Sequence, residues 1–325
     1  MAFLAYDPAT HNLNSLVSAI FAGAGGVSLV PGSVAVRYGT IEGQASLSFY
    51  DGSLTALNIG SGLLLTSGDS TPPLANNETA YGEALDGDTP GEPDLQATVQ
   101  AAFPGAGELE DITALQFSIQ VSDPAATGLR FDVVFGSDEF PEFSNTSFVD
   151  VAGVYVNGVN YALFNRNASQ PLSIIDANLT AGNFRDNQGG SLPLEYDGIS
   201  NRLQITAPLV QGTNTIKIAI ADTGDAIYDS GIFVSGLQPV NYAGYGLAQQ
   251  VAVTGSAQIT DSAENQVYQC DNLGNVVLLV SGQDVVDGGG GVDKVKYTFT
   301  ISGISGYHWD GQVLSVQNGA NASTL

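Results

Sequence analysis

The strongest structural signal in the sequence is an alternation of apolar and polar residues with a period of two. Between Leu115 and Val121 every second residue is apolar, and the residues between them are Gln116, Ser118 and Gln120. Because side chains of a strand point alternately to opposite faces, this pattern predicts a strand with one buried face. Similar runs occupy residues 46–49, 203–206, 251–254 and 297–302.

Turn-forming dipeptides separate these runs. The clearest is Asn157-Gly158, because Val154 and Val156 precede it and an apolar run at residues 161–164 follows it. Such a dipeptide tolerates positive φ, so the pattern predicts a β-hairpin. Many short strands divided by turns are typical of an all-β protein, and we predict an antiparallel β-sandwich of the jelly-roll kind.

One short helix is predicted near the N-terminus, because Leu13, Leu16 and Ile20 recur at helical spacing after Asn12, a good N-cap. Residues 67–92 are rich in Thr, Pro, Asn, Asp and Gly, which predicts a long surface loop. A shift in composition at residues 239–246 predicts a sandwich domain at residues 1–238 and a small C-terminal β domain at residues 239–325.

The charge balance limits the partners. Eight Lys and Arg against 33 Asp and Glu give a net charge of −25, which excludes nucleic acid and anionic membrane as natural partners and favours cations. The single cysteine, Cys270, excludes a disulfide framework and a cysteine-built zinc site. No apolar run is long enough for a membrane-spanning helix, so membrane insertion is not expected.

Two short stretches concentrate carboxylates. Asp138 and Glu139, with Asp150 further on, form one group, and Asp222, Asp225 and Asp229 form the other. Crowded carboxylates repel each other unless a cation neutralises them, and Ca²⁺ accepts six to eight oxygen ligands in flexible geometry. We therefore predict Ca²⁺ binding, while solvated acidic turns without a metal are the alternative.

A third motif is more specific. Residues 284–293 read DVVDGGGGVD and match one copy of a glycine-rich calcium nonapeptide, with Asp284, Asp287 and Asp293 as candidate ligands. One copy is not expected to build a stacked roll, because each turn needs a neighbour with which to share its ions. A simple glycine turn is the alternative.

Four ordered blocks of the sequence resemble the choice-of-anchor L domain of bacterial surface and secreted proteins. The blocks lie at residues 59–68 (IGSGLLLTSG), 137–140 (SDEF), 148–151 (FVDV) and 218–233, within a resemblance that spans about residues 11–238. The stretch at residues 288–293 is similar to the RTX calcium repeat, whose proteins commonly leave the cell by a one-step exporter. The resemblance implies an extracellular or cell-surface protein, exported without an N-terminal signal peptide by a type I-like route.

Three functional hypotheses remain open. The first is a calcium-binding structural or adhesive protein of the cell surface or extracellular matrix, which pairs with itself as an oligomer or filament or with other matrix components. The second is a calcium-dependent carbohydrate-binding module with Phe140, Phe143 and Tyr228 as stacking residues. The third is a glycosidase, which needs only two carboxylates. We rank it last and expect no enzyme activity.

Overall fold

A computed structural model describes most of the chain. It leaves out residues 1, 22–25, 79, 88–90, 241–248, 254–257, 262–265, 271–273, 281–282, 288–292, 299–305, 310–313, 319–320 and 325. At residues 165, 249, 250, 252, 266, 267, 269, 283, 285, 287 and in the strands after residue 305, it describes the backbone alone. The chain forms two compact units, Met1–Val240 and Asn241–Leu325, and each is described by itself.

The first sheet of the first unit has eight antiparallel strands in its described part. In spatial order they are β1 (Phe3–Ala5), β6 (Leu47–Tyr50), β7 (Gly62–Thr66), β17 (Ser230–Val240), β9 (Gly128–Ser137), β14 (Gly198–Ser200) and β13 (Phe184–Asp186), with β15 (Leu203–Pro208) also paired to β9.

The second sheet has seven antiparallel strands in the described residues. They are β11 (Val159–Asn160), β10 (Val151–Val156), β16 (Gly212–Thr223), β8 (Leu109–Val121) and β2 (Val27–Leu29), with β12 (Leu172–Ser173) paired to β10 and β3 (Ala35–Arg37) to β8. A separate two-stranded ribbon joins β4 (Thr40–Ile41) and β5 (Gln44–Ala45).

The two sheets pack face to face around one apolar core, which confirms the predicted β-sandwich. The alternation along β8 places Leu115, Phe117 and Ile119 in this core, opposite Phe131 and Val133 of β9. Burial of these side chains stabilises the fold by about 25 cal/mol per Å² of apolar surface removed from water. The predicted hairpin is also confirmed, since Asn157 and Gly158 have positive φ between β10 and β11.

The N-terminal helix α1 (Leu13–Ile20) begins as predicted, because the Asn12 side chain accepts the Ser15 N–H at 3.1 Å. Two further α-helices, α2 (Pro93–Ala102) and α3 (Asp176–Thr180), were not predicted, and short 3₁₀ turns occupy Thr55–Leu57 and Phe164–Arg166. Helix α2 buries only Leu95 and Val99, so its apolar stripe is too thin to detect in the sequence. None of the described helices has the length and apolar character of a membrane span.

The second unit contains two parallel sheets whose strands alternate along the chain. One contains β18 (Gln249–Val253), β20 (Gln266–Cys270), β22 (Gln283–Asp287), β26 (Asn321–Thr324), β25 (Leu314–Asn318) and β24 (Gly306–Trp309), of which the last three pair antiparallel. The other contains β19 (Gln258–Thr260), β21 (Val276–Leu279) and β23 (Lys294–Tyr297).

The pairs β18–β20, β19–β21, β20–β22 and β21–β23 join strands 17 or 18 residues apart in sequence, whereas β22 pairs with the more distant β26. The chain therefore forms stacked coils around Val253, Tyr268, Val277, Leu279 and Val286. These stacked coils were not predicted. Apolar residues that recur once per coil supply the shared core without a repeated glycine motif.

Candidate metal centre

The two acidic stretches of the first unit lie at the same end of the sandwich. The first connects β9 to β10 and the second connects β16 to β17, so each turn crosses from one sheet to the other. Ser137 pairs with Ser230 in the first sheet, and Val151 pairs with Ala221 in the second. These registers bring the predicted residues Asp138, Glu139, Asp150, Asp222, Asp225 and Asp229 together.

Asp150 joins the two turns directly. Its Oδ1 accepts the Thr223 N–H at 3.1 Å, and its Oδ2 accepts the Ser230 hydroxyl at 2.8 Å. Asp150 is fully buried. A buried carboxylate with two donors is a strong local constraint, because hydrogen bonds to a charged acceptor are stronger than neutral ones. Asp150 therefore fixes the ends of β16 and β17 relative to the start of β10.

Other carboxylates hold the segment at residues 67–92, which we call the strap. Asp229 accepts the N–H of Asp69 and the N–H of Glu83, each at 3.0 Å. Asp138 Oδ2 accepts the Tyr81 N–H at 2.7 Å. The strap contains no helix or strand in its described part, as predicted for a loop, but Tyr81 is buried, so it is only partly a surface segment.

Sequence reasoning missed two more carboxylates that hold the strap. Asp111 Oδ2 accepts the Leu85 N–H at 3.1 Å, and Glu195 accepts the backbone N–H of Asn77 and of Glu78 at 2.7 to 3.1 Å. Neither acid belongs to the two acidic stretches that the sequence analysis singled out, although Asp111 ends the acidic run ELED at residues 108–111. The carboxylates of this end thus replace the strand partners that the strap lacks.

Glycine at position 68 lets Asp229 reach the strap. A Cβ built on Gly68 would lie 1.9 Å from Asp229 Oδ2, far inside contact distance. Gly68 closes the block at residues 59–68 that carries part of the family resemblance. Its role is therefore close approach of the carboxylate to the backbone.

Four carboxylate oxygens at this end are buried and have no hydrogen-bond donor among the residues that the structure describes. They are Oδ1 of Asp138, Oε2 of Glu139, and both Oδ1 and Oδ2 of Asp222. The Ser67 hydroxyl lies near Asp222, but it also donates to the Ser230 carbonyl at 3.4 Å, so it is at most a shared donor. Buried polar atoms are nearly always paired in folded proteins, and each exception asks for an explanation.

Burial and mutual repulsion raise the pKa values of these acids strongly. Burial, followed by the charges of Asp150 and Asp225, raises the pKa of Glu139 to about 10. Burial raises the pKa of Asp138 to about 7 and of Asp229 to about 8, although N–H donors from the strap act in the opposite direction. At neutral pH the ion-free site therefore keeps part of its carboxyl groups protonated.

The pKa values of the fully buried pair Asp150 and Asp222 are also raised. Burial raises the pKa of both acids well above the ordinary range, and each acts on the other. Two coupled carboxyls of this kind share one proton when no cation is near.

The chemistry of these candidate metal ligands suits a hard cation. The set consists of oxygens alone, four of them without a donor, and the strongest charged neighbours of Glu139 are carboxylates. Its geometry is less complete, because within the described residues no three His, Cys, Asp or Glu side chains already converge as a metal-ligand set. A cation would have to draw the side chains of Asp222, Glu139 and Asp138 together.

A family model for the choice-of-anchor L domain matches residues 5–237. The chain belongs to the choice-of-anchor L domain family. The match confirms the resemblance seen in the sequence, and both acidic turns and the strap lie within it. Membership in this family suggests an extracellular or surface-anchored bacterial protein.

Solved structures similar to this chain include two family 35 carbohydrate-binding modules. CBM35 from Cellvibrio japonicus Abf62 is 11% identical, with a TM-score of 0.19, and the match covers 55% of this chain and 98% of that one. A module from an environmental isolate is 15% identical, with a TM-score of 0.18, and covers 54% and 96%. At these TM-scores the likeness carries no argument about a ligand. No curated protein matches the chain in sequence.

The candidate ligands of the second unit lie outside the matched family domain, and the structure describes the side chains of Asp284 and Asp293 alone. Asp284 is buried within β22, and Asp287 ends that strand, with its side chain outside the described residues. Asp293 accepts the Asn275 N–H at 2.9 Å and so joins successive coils. The glycines at residues 288–291 also lie outside the described residues, so the nonapeptide stays a prediction.

The aromatic residues of the carbohydrate hypothesis are divided by the fold. Phe140 is buried, and its ring stacks on Phe184 at 6.2 Å between centroids, which removes it as a stacking surface. Phe143 and Tyr228 remain half-exposed, with centroids 5.4 Å apart. Of the three predicted stacking residues, Phe143 and Tyr228 are therefore the two that a ligand could contact.

The carboxylates are poorly placed for glycoside hydrolysis. Glu139 is 1% exposed and Asp150 is 0% exposed. A glycosidase needs its two carboxyls on either side of a bound sugar. A sugar could not reach this pair unless the turns moved apart.

Proposed function

We propose that this choice-of-anchor L protein is a calcium-stabilised structural or adhesive component of the bacterial cell surface or extracellular matrix. In this proposal Asp222, Glu139 and Asp138 hold Ca²⁺ at the sandwich end, next to Asp150, and Asp225 contributes from the half-exposed turn. The observation that carries the proposal is the group of four buried carboxylate oxygens without donors.

The physical reason is the cost of burying negative charge. A buried carboxylate without a partner is neutralised by a proton or by a cation. A divalent ion would replace the proton shared by Asp150 and Asp222 and supply the positive charge that the shared Ser67 hydroxyl does not supply at Asp222. Ca²⁺ suits side chains that must adjust, because its coordination geometry is flexible.

Asp229 and Asp138 connect the proposed ion site to the strap. Asp229 gives both oxygens to the strap, and Asp138 gives one, so these residues connect the ion site to residues 67–92. Calcium would then stabilise two sheets and one long loop at once. Such a site stiffens a domain and needs no bound substrate, which agrees with a structural role.

A thermal melt at pH 8 tests the proposal. The protein should unfold at a higher temperature in calcium than in chelator, and the difference should be lost in Asp222→Asn. Glu42→Gln is the matched control, because it removes one exposed carboxylate in the β4–β5 turn. Equal melting temperatures for the parent protein in calcium and chelator, with no heat of calcium binding by titration calorimetry, would contradict the proposal.

Self-assembly is a further part of the proposal. At a net charge of −25, copies of the chain repel one another, and bound calcium lowers that repulsion. Sedimentation velocity should therefore show larger species in calcium than in chelator. Identical sedimentation in both would leave a monomeric surface protein.

Calcium-dependent carbohydrate binding is the second candidate. The specific observation in its favour is the half-exposed ring pair Phe143 and Tyr228, because both residues lie in the turns that contain the acids. Glycan-array binding that disappears in chelator and in Phe143→Ala would support it. Binding unaffected by either change would exclude this location.

A further inference from the structure

A cleft of about 420 Å³ lies between helix α2 and the β10–β11 hairpin, beside the second sheet. Its volume is within the range of small-ligand sites. The lining residues are Asp94, Ala97, Thr98, Ala101, Tyr155, Gly158, Val159, Asn160, Leu163 and Ala168. This lining is distinct from the acidic turns, and none of the carboxylates proposed to bind calcium contributes to it.

Asn160 presents an unused donor in the cleft wall. Its Oδ1 accepts the N–H of Val154 at 3.2 Å and of Ala162 at 3.0 Å, which fixes the orientation of the amide. Its Nδ2 is buried and has no hydrogen-bond partner. An amide fixed in this way cannot flip to satisfy the free end, so the donor has no partner in the described residues and would pair with a ligand acceptor once a small movement of the cleft wall exposes it.

The hydroxyls of Thr98 and Tyr155 add a second polar group. They are 2.8 Å apart, and Thr98 also donates to the Asp94 carbonyl at 2.8 Å, so Tyr155 donates within the pair. The Tyr155 ring is held from the other side by Lys217, whose Nζ lies 5.1 Å from the ring centroid. The cleft is therefore preorganised around hydroxyl and amide groups.

The ammonium group of Lys217 beside the cleft is already paired with carboxylates. Lys217 contacts the carboxylates of Glu92 and Asp94. Burial lowers the pKa of Lys217, but the hydrogen bonds to Asp94 and Glu92 outweigh burial and raise it overall, so the ammonium stays charged. With one cation between two carboxylates, the group keeps a net charge of −1, so an anionic ligand gains no free counter-charge here.

Beyond the cleft and Lys217, one row on the same face of the second sheet is polar and uncharged. Gln120 and Thr213 are exposed there, and Ser118 and Thr215 are half-exposed, whereas the residues between them point into the core. In a chain with 33 acidic residues, this row without carboxylates is an unusual surface. It offers hydroxyl and amide groups to an extended neutral ligand.

We infer that the cleft binds a neutral saccharide, with one sugar between α2 and the hairpin and the chain continuing over the uncharged row. Ala97, Ala101, Val159 and Leu163 would contact the C–H surface of the ring, and Asn160 and Thr98 its hydroxyls. This site requires no calcium and does not depend on the proposed function.

Binding of neutral oligosaccharides to the full chain tests the inference. The probes are gluco-, manno-, galacto- and xylo-oligosaccharides, measured by saturation-transfer NMR and titration calorimetry in chelator. At least one series should bind, and Ala101→Trp should weaken it at least ten-fold, because the indole fills the cleft from an exposed helix position. Val210→Trp, at a residue 58% exposed outside the cleft, should change affinity less than two-fold.

A further variant tests the polar contact. Thr98→Val removes the hydroxyl at nearly constant volume and should weaken binding several-fold. Because Tyr155 loses its acceptor, the melting temperature should fall slightly, so binding is measured well below it, where circular dichroism shows the variant to be folded. Absence of binding to all four series would overturn the inference. Binding that survives Ala101→Trp but is lost in Phe143→Ala would place the sugar at the acidic turns instead, and a change in oligomeric state without a change in sugar affinity would identify a contact between copies.

Discussion

Acidic residues in the two units use their oxygens in different ways. In the second unit, Asp261 accepts the Tyr268 hydroxyl at 2.7 Å and the Val280 N–H at 2.8 Å, and so joins one coil to the next. In the first unit, Asp222 is equally buried, but neither oxygen has a donor of its own. The difference shows that an acidic turn suggests a metal only where its oxygens are left without protein donors.

The largest effect is expected from the pH dependence of the ion-free protein. Burial raises the folded-state pKa of Asp138 to about 7 and of Asp229 to about 8, so between about pH 4 and pH 8 the folded state binds more protons than the unfolded state. The contribution of these two groups to stability is then greatest at or below about pH 4, and it is lost, by several kcal/mol, as the pH rises from about 4 through 7 and 8.

Urea denaturation in chelator at several pH values measures this dependence of stability on pH. Hydrogen exchange of the intact protein, read out on proteolytic peptides, assigns it to one of the two units. The decline should appear in the first unit and become smaller in calcium, which competes with protons for the same oxygens. Constant or rising stability from pH 5 to pH 8 in chelator would mean that the buried acids are ionised without an ion.

The next effect concerns Gly68. Gly68→Ala should destabilise the first unit by about 3 kcal/mol, because the added Cβ overlaps the Asp229 carboxylate and must displace it from Asp69 and Glu83. Gly189→Ala is the matched control, because a Cβ there meets nothing within 4 Å. A loss below 0.5 kcal/mol in thermal unfolding of Gly68→Ala would show that the strap does not depend on that carboxylate.

The smallest effect is a change in stability that should have opposite signs for Asp222, which lacks its own donor, and Asp261, which has two donors. In chelator at pH 8, Asp222→Asn should stabilise the protein by about 1 kcal/mol, because it removes a buried acid that repels its neighbours. Asp261→Asn should destabilise it by about 1 to 2 kcal/mol, because its amide turns an N–H₂ group toward a donor. Chemical denaturation of both variants gives the comparison, and equal signs would remove the distinction between the units.

Much of the sandwich was predictable from local pattern. The alternation along β8, the Asn157-Gly158 hairpin and the Asn12 cap are each encoded within a few residues, so the sequence alone identifies them. Helix α2 was not predictable, because two buried residues make no clear stripe. The stacked coils were missed because their repeat is a spacing of 17 or 18 residues between apolar positions, without a repeated motif.

The candidate site was predictable only in part. Crowding of Asp138, Glu139, Asp222 and Asp229 in short stretches indicated where carboxylates meet. Which oxygens remain free could not be read from the sequence, since that depends on N–H groups of the strap some 60 to 160 residues away.

The most direct test of the account is a crystal structure of the protein grown in calcium at pH 8, with anomalous scattering used to locate the ion. The account predicts a peak at the sandwich end, with oxygens of Asp222 and Glu139 about 2.3 to 2.6 Å from it. A well-ordered site without a peak at saturating calcium, in which Asp150 and Asp222 share a proton, would contradict it.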